Sequence, residues 1–445
     1  MKNYFENVIS YDDVKLELLK IIDIINNKEK YEKFGTKIPR NLMLFGMPGT
    51  GKTLMATDLI NAINRKSYII RKDNEKTAFI NHIKDTFTDA KKNAPSIILI
   101  DDLDKFENGD SEHRNGESYV TIQSCIDDVK NDDVFVIATV NDKKLLPTSL
   151  VREGRFDKQI EVSLPIGEDA EKIIMHYLED KKIDTSINRN KLVRLFSGKS
   201  CAFIETVLNN AGLSAGYYNR KLLNFDDIMY SYADAIKRKI IVSNNIDPDV
   251  ALKVAYHEAG HALIMHMLQK DVLIYCSLTV DEKGLKGTTE SHSKIDDVCC
   301  GEKTLREDII MILGGRAATE IVFGETDLGA ESDMRHAKRQ AFKLVENNDF
   351  YSIDYIHVAN PFADEPLTEI TKNGISYELI KLYNETKKIL SENRVILDDI
   401  AYSLAQKHYL FYDEIETIVK RHEVNGLGKS IEIQANDRRP KRAAV

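Results

Sequence analysis

Residues 41–53 read NLMLFGMPGTGKT, in which an apolar run leads into a glycine-rich loop that ends in lysine and threonine. The loop fits the pattern G-x-x-x-x-G-K-[ST], and the run before it predicts a strand. In such a loop backbone N–H groups surround phosphates, the lysine reaches the β and γ oxygens, and the threonine holds Mg²⁺ at a helix N-terminus. The stretch therefore predicts an α/β domain that binds a nucleoside triphosphate. The predicted binding residues of the loop are Gly46, Pro48, Gly49, Thr50, Gly51, Lys52, Thr53 and Leu54.

A chance match in an ordinary loop is the alternative, and the polar residues that follow argue against it. Asp101 and Asp102 end the apolar run IILI, and Asn141 ends the run VIATV. We expect Asp101 to support Mg²⁺ through water, Asp102 to orient the attacking water and Asn141 to sense the γ-phosphate. Arg152 and Arg155 then lie three positions apart in SLVREGRFD. Each residue alone is compatible with an ordinary surface position, whereas all of them in this order indicate an ATPase.

The chain changes its pattern twice along its length. Up to about residue 165, short apolar runs alternate with amphipathic stretches, as in SIILIDD and VKLELLKIIDIINN, which is typical of a parallel sheet covered by helices. Helical periods then replace the strand-like runs, and a later domain is mainly helical apart from LIYCSLTV, a predicted strand. We therefore expect an α/β nucleotide-binding domain at 1–165, a helical domain at 166–240, a third domain at 250–425 and a flexible tail at 426–445.

Composition excludes several classes of protein. With 445 residues, 42% of them hydrophobic, the chain is long enough for two or three globular domains. No stretch approaches the ~18 to 20 uncharged residues of a membrane span, and the N-terminus has no apolar signal core. The net charge of −9 and scattered Lys and Arg argue against nucleic-acid binding. The five cysteines lack metal-type spacing, which predicts reduced thiols and a cytoplasmic location.

A second motif lies in YHEAGHALIM, residues 256–265. On a helix, His257 and His261 are about one turn apart on the same face, where two imidazoles can bind one Zn²⁺. Glu258 then lies beside the water that such an ion activates, as a general base. The alternative is an apolar helix with two core histidines whose hydrogen bonds are satisfied locally.

A hydrolytic zinc needs a third protein ligand and one open position. Two acidic residues on downstream helical segments qualify, Glu320 in GGRAATEIVFG and Asp333 in GAESDMRHA. Spacing alone does not choose between them.

The two motifs and their neighbours resemble the FtsH family, the AAA+ zinc metalloproteases. The likeness to an AAA+ ATPase module begins at YFENVISYDDVKLEL, which resembles the segment that surrounds the adenine. It continues through VAYHEAGHAL, ILGGRAATEIVFGE, GAESDMRHAKRQA and KKILSENRVILDDIAYSLAQK, and it covers residues 4–424. The resemblance implies an AAA+ parallel sheet with a helical lid, followed by a mainly helical zinc metalloprotease domain.

The resemblance also implies roles for individual residues and an assembly. Asp333 is implied as the third zinc ligand, and Glu320 is then a supporting or structural residue. The family forms rings, usually hexamers, in which Arg152 and Arg155 would complete the ATP site of the next subunit. Such rings thread unfolded protein into a zinc-lined chamber, so protein or peptide substrates, ATP, Mg²⁺ and Zn²⁺ are implied.

Three features depart from the family pattern. Asp102 stands where the family has Glu, so its carboxylate lies roughly 1 Å short, a misplacement that can cost on the order of 100-fold in rate. FtsH-type proteases usually begin with membrane spans, so we expect either a soluble relative or a chain whose upstream part is not included. The aromatic pore loop aligns with residues 75–77, which are Glu, Lys and Thr. Phe79 and Ile80 replace the aromatic residue if the loop is shifted, but we expect them instead to pack a helix onto the sheet.

Two functions from different classes follow. The leading hypothesis is an ATP-dependent zinc endopeptidase that forms a ring. The alternative is a nucleotide-binding remodelling or regulatory ring with slow ATP turnover and little processive proteolysis. A peptidase that needs no energy and is covered by a nucleotide-gated ring lies between them.

Overall fold

The computed structural model describes residues 4–72, 76–106, 116–152, 154–236, 239–240, 247–281, 284–292, 301–325, 331–347 and 369–424. The chain folds into two compact units, Met1–Ala235 and Ile236–Val445. None of the helices in the described ranges combines the length and apolar character that crossing a membrane requires. The predicted tail at 426–445 lies outside the described residues.

The described part of the first unit contains a five-stranded parallel sheet. Its strands are β1 (Asn41–Phe45), β2 (Lys66–Ile70), β3 (Ser96–Ile100), β4 (Val134–Val140) and β5 (Lys158–Glu161). Their order is β2-β3-β4-β1-β5, so β1 pairs with β4 on one side and with β5 on the other. β3 and β4 are buried along their whole length, which explains why their sequences are continuous apolar runs. The predicted parallel sheet is confirmed.

Helices cover this sheet and continue beyond it. They are α1 (Asp12–Asn26), α2 (Lys28–Glu32), α3 (Lys52–Ile63), α4 (Lys76–Lys92), α5 (Glu117–Asp128), α6 (Gly167–Leu178), α7 (Arg189–Phe196), α8 (Cys201–Tyr217) and α9 (Phe225–Ala235). α4 and α5 bury Phe87 and Ile122 in one apolar cluster with Ile98 of β3. After β5 the described elements up to α9 are helices, as the sequence predicts.

The carboxyl ends of three adjacent strands position the polar residues singled out above. β1 ends at Phe45 and runs into the glycine-rich loop, β3 ends just before Asp101, and β4 ends just before Asn141. Because these strands are neighbours in the order β3-β4-β1, the three segments meet at one edge of the sheet.

The second unit combines long helices with a small antiparallel sheet. Its helices are α10 (Pro248–Leu268), α11 (Glu302–Phe323), α12 (Glu331–Asn347), α13 (Glu369–Glu392), α14 (Arg394–Lys407) and α15 (Tyr412–Val424). Its strands are β6 (Lys239–Ile240), β7 (Leu273–Asp281), β8 (Gly284–Ser291) and β9 (Tyr409–Phe411). β7 is the predicted strand, and it pairs with β8 along one edge and with β6 and β9 along the other.

α10 is the central helix of this unit. It begins at Asp247, whose side chain accepts the backbone N–H of Asp249, with Pro248 in the first turn. Its middle, from Ala255 to Ile264, is buried except at His257, so the helix is apolar on nearly all sides. It packs against α11, α14, β7 and β8. The buried position explains why YHEAGHALIM is apolar around its three polar groups.

Candidate active sites

The glycine-rich loop folds tightly between β1 and α3. Gly46 has a φ of 145°, and a Cβ at this position would lie 2.2 Å from the carbonyl oxygen of Val162. The buried ammonium of Lys52 donates to the carbonyl oxygens of Gly46 and Met47, both at 2.8 Å. Burial lowers the pKa of Lys52, and the nearby Asp102 offsets this only in part. The loop thus holds its lysine against its own backbone.

The carboxylate of Asp101 accepts hydrogen bonds from three side chains at the edge of the sheet. Its Oδ1 accepts the hydroxyls of Thr53, at 2.9 Å, and Thr139, at 2.8 Å. Its Oδ2 accepts Nε of Arg71, at 3.2 Å. The hydroxyl and carboxylate oxygens of Thr53 and Asp101 are the ligand type that Mg²⁺ prefers, so this pair fits a magnesium site.

Asp102 is held by its own chain at both carboxylate oxygens. Oδ1 accepts Nδ2 of Asn141 at 3.0 Å, and Oδ2 accepts Nζ of Lys105 at 2.7 Å. The Asp102 backbone is left-handed, with a φ of 55°, a conformation that Asp adopts more readily than most residues. The hydrogen bond to Asp102 raises the pKa of Lys105. Lys105 was not among the residues predicted from the sequence, although its spacing of three from Asp102 permits the contact.

The two predicted arginines differ in their surroundings. Arg155 donates to the carbonyl oxygen of Ser149 at 2.6 Å and to Oδ2 of Asp127 at 2.9 Å. Arg152 is exposed, and its carbonyl oxygen accepts the backbone N–H of Arg155. The side chain of Arg155 is therefore bound within its own chain, while that of Arg152 faces solvent.

A cleft of about 440 Å³ lies beside the glycine-rich loop, Asp102 and Asn141, and its volume is typical of small-ligand sites. Its phosphate end is lined by residues 48–55 with Asp102, Lys105 and Asn141. Its other end is lined by Asn7, Val8, Ile9, Tyr11, Ile173, His176, Tyr177, Cys201, Ala202 and Glu205. The first four belong to residues 4–18, the segment expected to surround the adenine. The rest come from α6 and α8, whose helical spacing gave no signal that they line a cleft.

The counterpart of the pore loop is only partly described. Residue 75 lies outside the described residues, and α4 begins at Lys76. Phe79 and Ile80 are buried in the core of the first unit, and Phe79 meets Phe106 edge-on at 4.9 Å. These two residues pack a helix onto the sheet, as expected from the sequence.

Three candidate zinc ligands converge in the second unit. Nε2 of His257 lies 3.1 Å from Nε2 of His261, and Oδ2 of Asp333 lies 3.1 Å and 3.3 Å from these two nitrogens. The histidines are one turn apart on α10, and Asp333 is in the first turn of α12. Among the described residues no other group of His, Cys, Asp and Glu has this clustering. Two imidazoles and one carboxylate suit a tetrahedral Zn²⁺ with one open position.

The surroundings of the histidines support a metal-binding geometry. Nδ1 of His261 lies 2.8 Å from the carbonyl oxygen of Met311 on α11. A carbonyl only accepts, so Nδ1 carries a proton and Nε2 is directed at the cluster. Burial lowers the pKa of His261, but the hydrogen bond and charge of Asp333 outweigh this and bring it to about 9. Burial raises the pKa of Asp333, but its hydrogen bonds from the histidines hold it well below the usual range.

The other two acidic residues singled out in the sequence, Glu258 and Glu320, lie in different environments. Glu258 is only 6% exposed, and its Oε2 accepts the hydroxyl of Thr289 on β8 at 2.7 Å. Glu320 accepts Nζ of Lys387 at 2.7 Å, and the hydroxyl of Tyr383, both on α13. The structure therefore brings Asp333 to the histidines and pairs Glu320 elsewhere.

Comparison with known proteins matches both halves of the chain. The model of the ATPase family associated with various cellular activities (AAA) matches residues 42–164, and the model of peptidase family M41 matches residues 245–418. ATP-dependent zinc metalloprotease FtsH 2 of Thermoanaerobacter sp. is 32% identical over 93% of this chain and 82% of its own length. FtsH of a Synechococcus species is 29% identical over 94% of this chain and 70% of its own. FtsH 2 of Phytoplasma mali is 29% identical over 94% of this chain and 62% of its own length.

Fold and sites together define an AAA-type ATPase module followed by a zinc metallopeptidase module. ATP, Mg²⁺ and Zn²⁺ are the cofactors of such a protein. The chain belongs to the FtsH family of ATP-dependent zinc metalloproteases.

Proposed function

We propose that this chain is an ATP-dependent zinc endopeptidase in which an AAA+ ring delivers protein substrates to the site around His257 and His261. The observation that supports this most directly is the convergence of His257, His261 and Asp333 beside the buried Glu258. The same chain carries a complete glycine-rich loop whose Thr53 meets Asp101. Digestion of casein and of a folded reporter, with ATP, with a non-hydrolysable analogue and without nucleotide, tests the proposal.

In the peptidase site each residue has one role. His257, His261 and Asp333 would hold Zn²⁺, which when bound lowers the pKa of a water and polarises the scissile carbonyl. Glu258 accepts a proton as general base and later donates it to the leaving amine. Its burial keeps bulk water from competing with that transfer.

In the ATPase site the residues with assigned roles lie at the carboxyl ends of β1, β3 and β4. Residues 46–54 surround the phosphates, with Lys52 directed at the β and γ oxygens. Thr53 and Asp101 support Mg²⁺, Asp102 orients the attacking water, and Asn141 senses the γ-phosphate. The hydrogen bond from Asn141 to Asp102 supports a direct link between sensing and hydrolysis.

The proposal extends to organisation and assembly. We assign nucleotide binding to residues 1–165, a helical lid to 166–240 and the protease domain to 250–425. A homo-hexamer follows from family resemblance, with Arg152 and Arg155 acting on the neighbouring subunit's ATP, and the exposed Arg152 is the better placed of the two. A cytoplasmic location is supported by Cys125, Cys201 and Cys276, which are free thiols.

A second candidate function is a remodelling or regulatory ring with slow ATP turnover. The observation that favours it is Asp102, which is shorter than Glu and has both oxygens bound to Asn141 and Lys105 of its own chain. In the digestion experiment this candidate predicts tight ATP binding without degradation of the folded reporter. An ATP-independent peptidase predicts equal casein cleavage in all three conditions.

A further inference from the structure

We infer that Thr289 is a positioning residue of the peptidase, whose hydroxyl fixes the carboxylate of Glu258, and that Gly287 leaves the space this carboxylate occupies. The inference rests on the proposed role of Glu258 as general base. It gives strand β8 a part in catalysis that is exerted through Glu258.

Two contacts join Thr289 to Glu258. Its Oγ1 donates to Oε2 at 2.7 Å and also lies 3.3 Å from the Glu258 backbone oxygen. A hydrogen bond to an ionised carboxylate is short and about twice as strong as one between neutral groups. The hydroxyl therefore selects one orientation of a long, otherwise rotatable side chain.

Gly287 provides the space that the Glu258 side chain occupies. A Cβ built on Gly287 would lie 2.2 Å from Cγ and 2.3 Å from Oε1 of Glu258, far inside contact distance. Gly287 and Thr289 are two positions apart on a strand, so they face the same side of the sheet. Both residues are registered against β7, Gly287 opposite Leu278 and Thr289 opposite Cys276. One face of β8 thus supplies both the space and the donor for Glu258.

A purely structural role for Thr289 is the competing explanation, because threonine is favoured in strands. Valine has nearly the same shape and the same strand preference but no donor, so Thr289→Val isolates the hydroxyl. Thr289→Ser keeps the donor and loses only a methyl group. Thr288 lies on the opposite face of β8, and Thr288→Val is the matched control.

The experiment measures kcat and KM for an unstructured peptide, zinc content and ATPase rate in the full-length protein. We expect Thr289→Val to lower kcat about 10- to 100-fold, with KM, zinc content and ATPase rate unchanged. The kcat of Thr289→Ser should stay within about threefold of the parent value, and the kcat of Thr288→Val should equal the parent value. Gly287→Ala should lower kcat with zinc retained, because it displaces the same carboxylate.

The inference is overturned if Thr289→Val keeps the parent kcat. Loss of zinc or of the folded state in Thr289→Val, with Thr288→Val intact, would also overturn it, since the hydroxyl would then stabilise the fold. Glu258→Gln distinguishes failure of the proposed function from failure of the role of Thr289. If Glu258→Gln still cleaves, the proposed function fails; if it is inactive while Thr289→Val is fully active, only the role of Thr289 fails.

Discussion

Gly260 of α10 and Gly314 of α11 touch backbone to backbone. A Cβ on Gly260 would lie 2.4 Å from the carbonyl oxygen of Gly314, and a Cβ on Gly314 would lie 2.8 Å from that of Gly260. This close crossing places Met311, about one turn before Gly314, and Gly315, the next residue after it, against the imidazole of His261. The geometry of the candidate zinc site therefore depends on α11 as much as on the helix that carries the motif.

Gly315→Ala should weaken zinc binding about 10- to 100-fold, because its Cβ would lie 2.5 Å from Nε2 of both His257 and His261. Competition with a chromophoric chelator measures the affinity. Gly216→Ala in α8 is the control, since a Cβ there meets nothing within 4 Å. It should leave zinc binding unchanged and raise stability by up to ~1 kcal/mol. Unchanged zinc affinity in Gly315→Ala would show that the site lies elsewhere.

Asp333→Asn should lose zinc, whereas Glu320→Gln should keep it. Asp333 contacts both histidines, while Glu320 is paired with Lys387 in a partly exposed contact whose loss costs about 1 kcal/mol or less. Metal analysis of the purified variants decides between them. Full occupancy in Asp333→Asn together with loss in Glu320→Gln would reverse the assignment.

Asp102→Glu should raise the steady-state rate of ATP hydrolysis without tightening ATP binding. The longer side chain extends the carboxylate toward the attacking water, whereas the phosphate-binding loop is unchanged. Steady-state ATPase assays and nucleotide titration of both forms provide the comparison.

A slower Asp102→Glu variant would contradict this expectation. The left-handed backbone at this position suits Asp better than Glu, so such a result would show that Asp102 is adapted to its local conformation.

Oligomerisation should depend on nucleotide, with Arg152 completing a neighbour's site. Arg152→Ala should retain ATP binding but lose turnover, while Arg155→Ala should also destabilise its own unit by breaking contacts with Asp127 and Ser149. Mixing Arg152→Ala with Lys52→Ala subunits should restore part of the activity, because the second supplies the arginine that the first lacks. Sedimentation that shows only monomer at micromolar concentration with ATP and Mg²⁺, or mixtures without recovery, would argue against the ring.

The features that depend on local sequence pattern could be predicted from the sequence. The glycine-rich loop, the strands ending at Asp101 and Asn141 and the helix carrying His257 are all set by short-range periodicity and turn chemistry. Strand β8 was missed because its sequence, GLKGTTES, is polar and has no alternating apolar face. Spacing alone also could not choose between Glu320 and Asp333, since that choice depends on how α12 and α13 pack.

Other contacts depend on register between distant segments. The Thr289 hydroxyl reaches Glu258 only because β8 packs beside α10, and Arg155 pairs with Asp127 across 28 positions of sequence. Neither contact follows from the identity of its residues. Both contacts change the functional interpretation. The first holds Glu258, the proposed general base, and the second binds a predicted arginine within its own chain.

The central claim is that one chain couples ATP to zinc-dependent cleavage of protein substrates. ATP-driven degradation of casein by the parent and by Glu258→Gln, with zinc content and ATP binding measured alongside, tests it most directly. We expect the parent to degrade casein faster with ATP than without, and Glu258→Gln to bind zinc and ATP normally yet cleave nothing. Cleavage by Glu258→Gln at the parent's rate, or a parental rate that is the same with and without ATP, would contradict the claim.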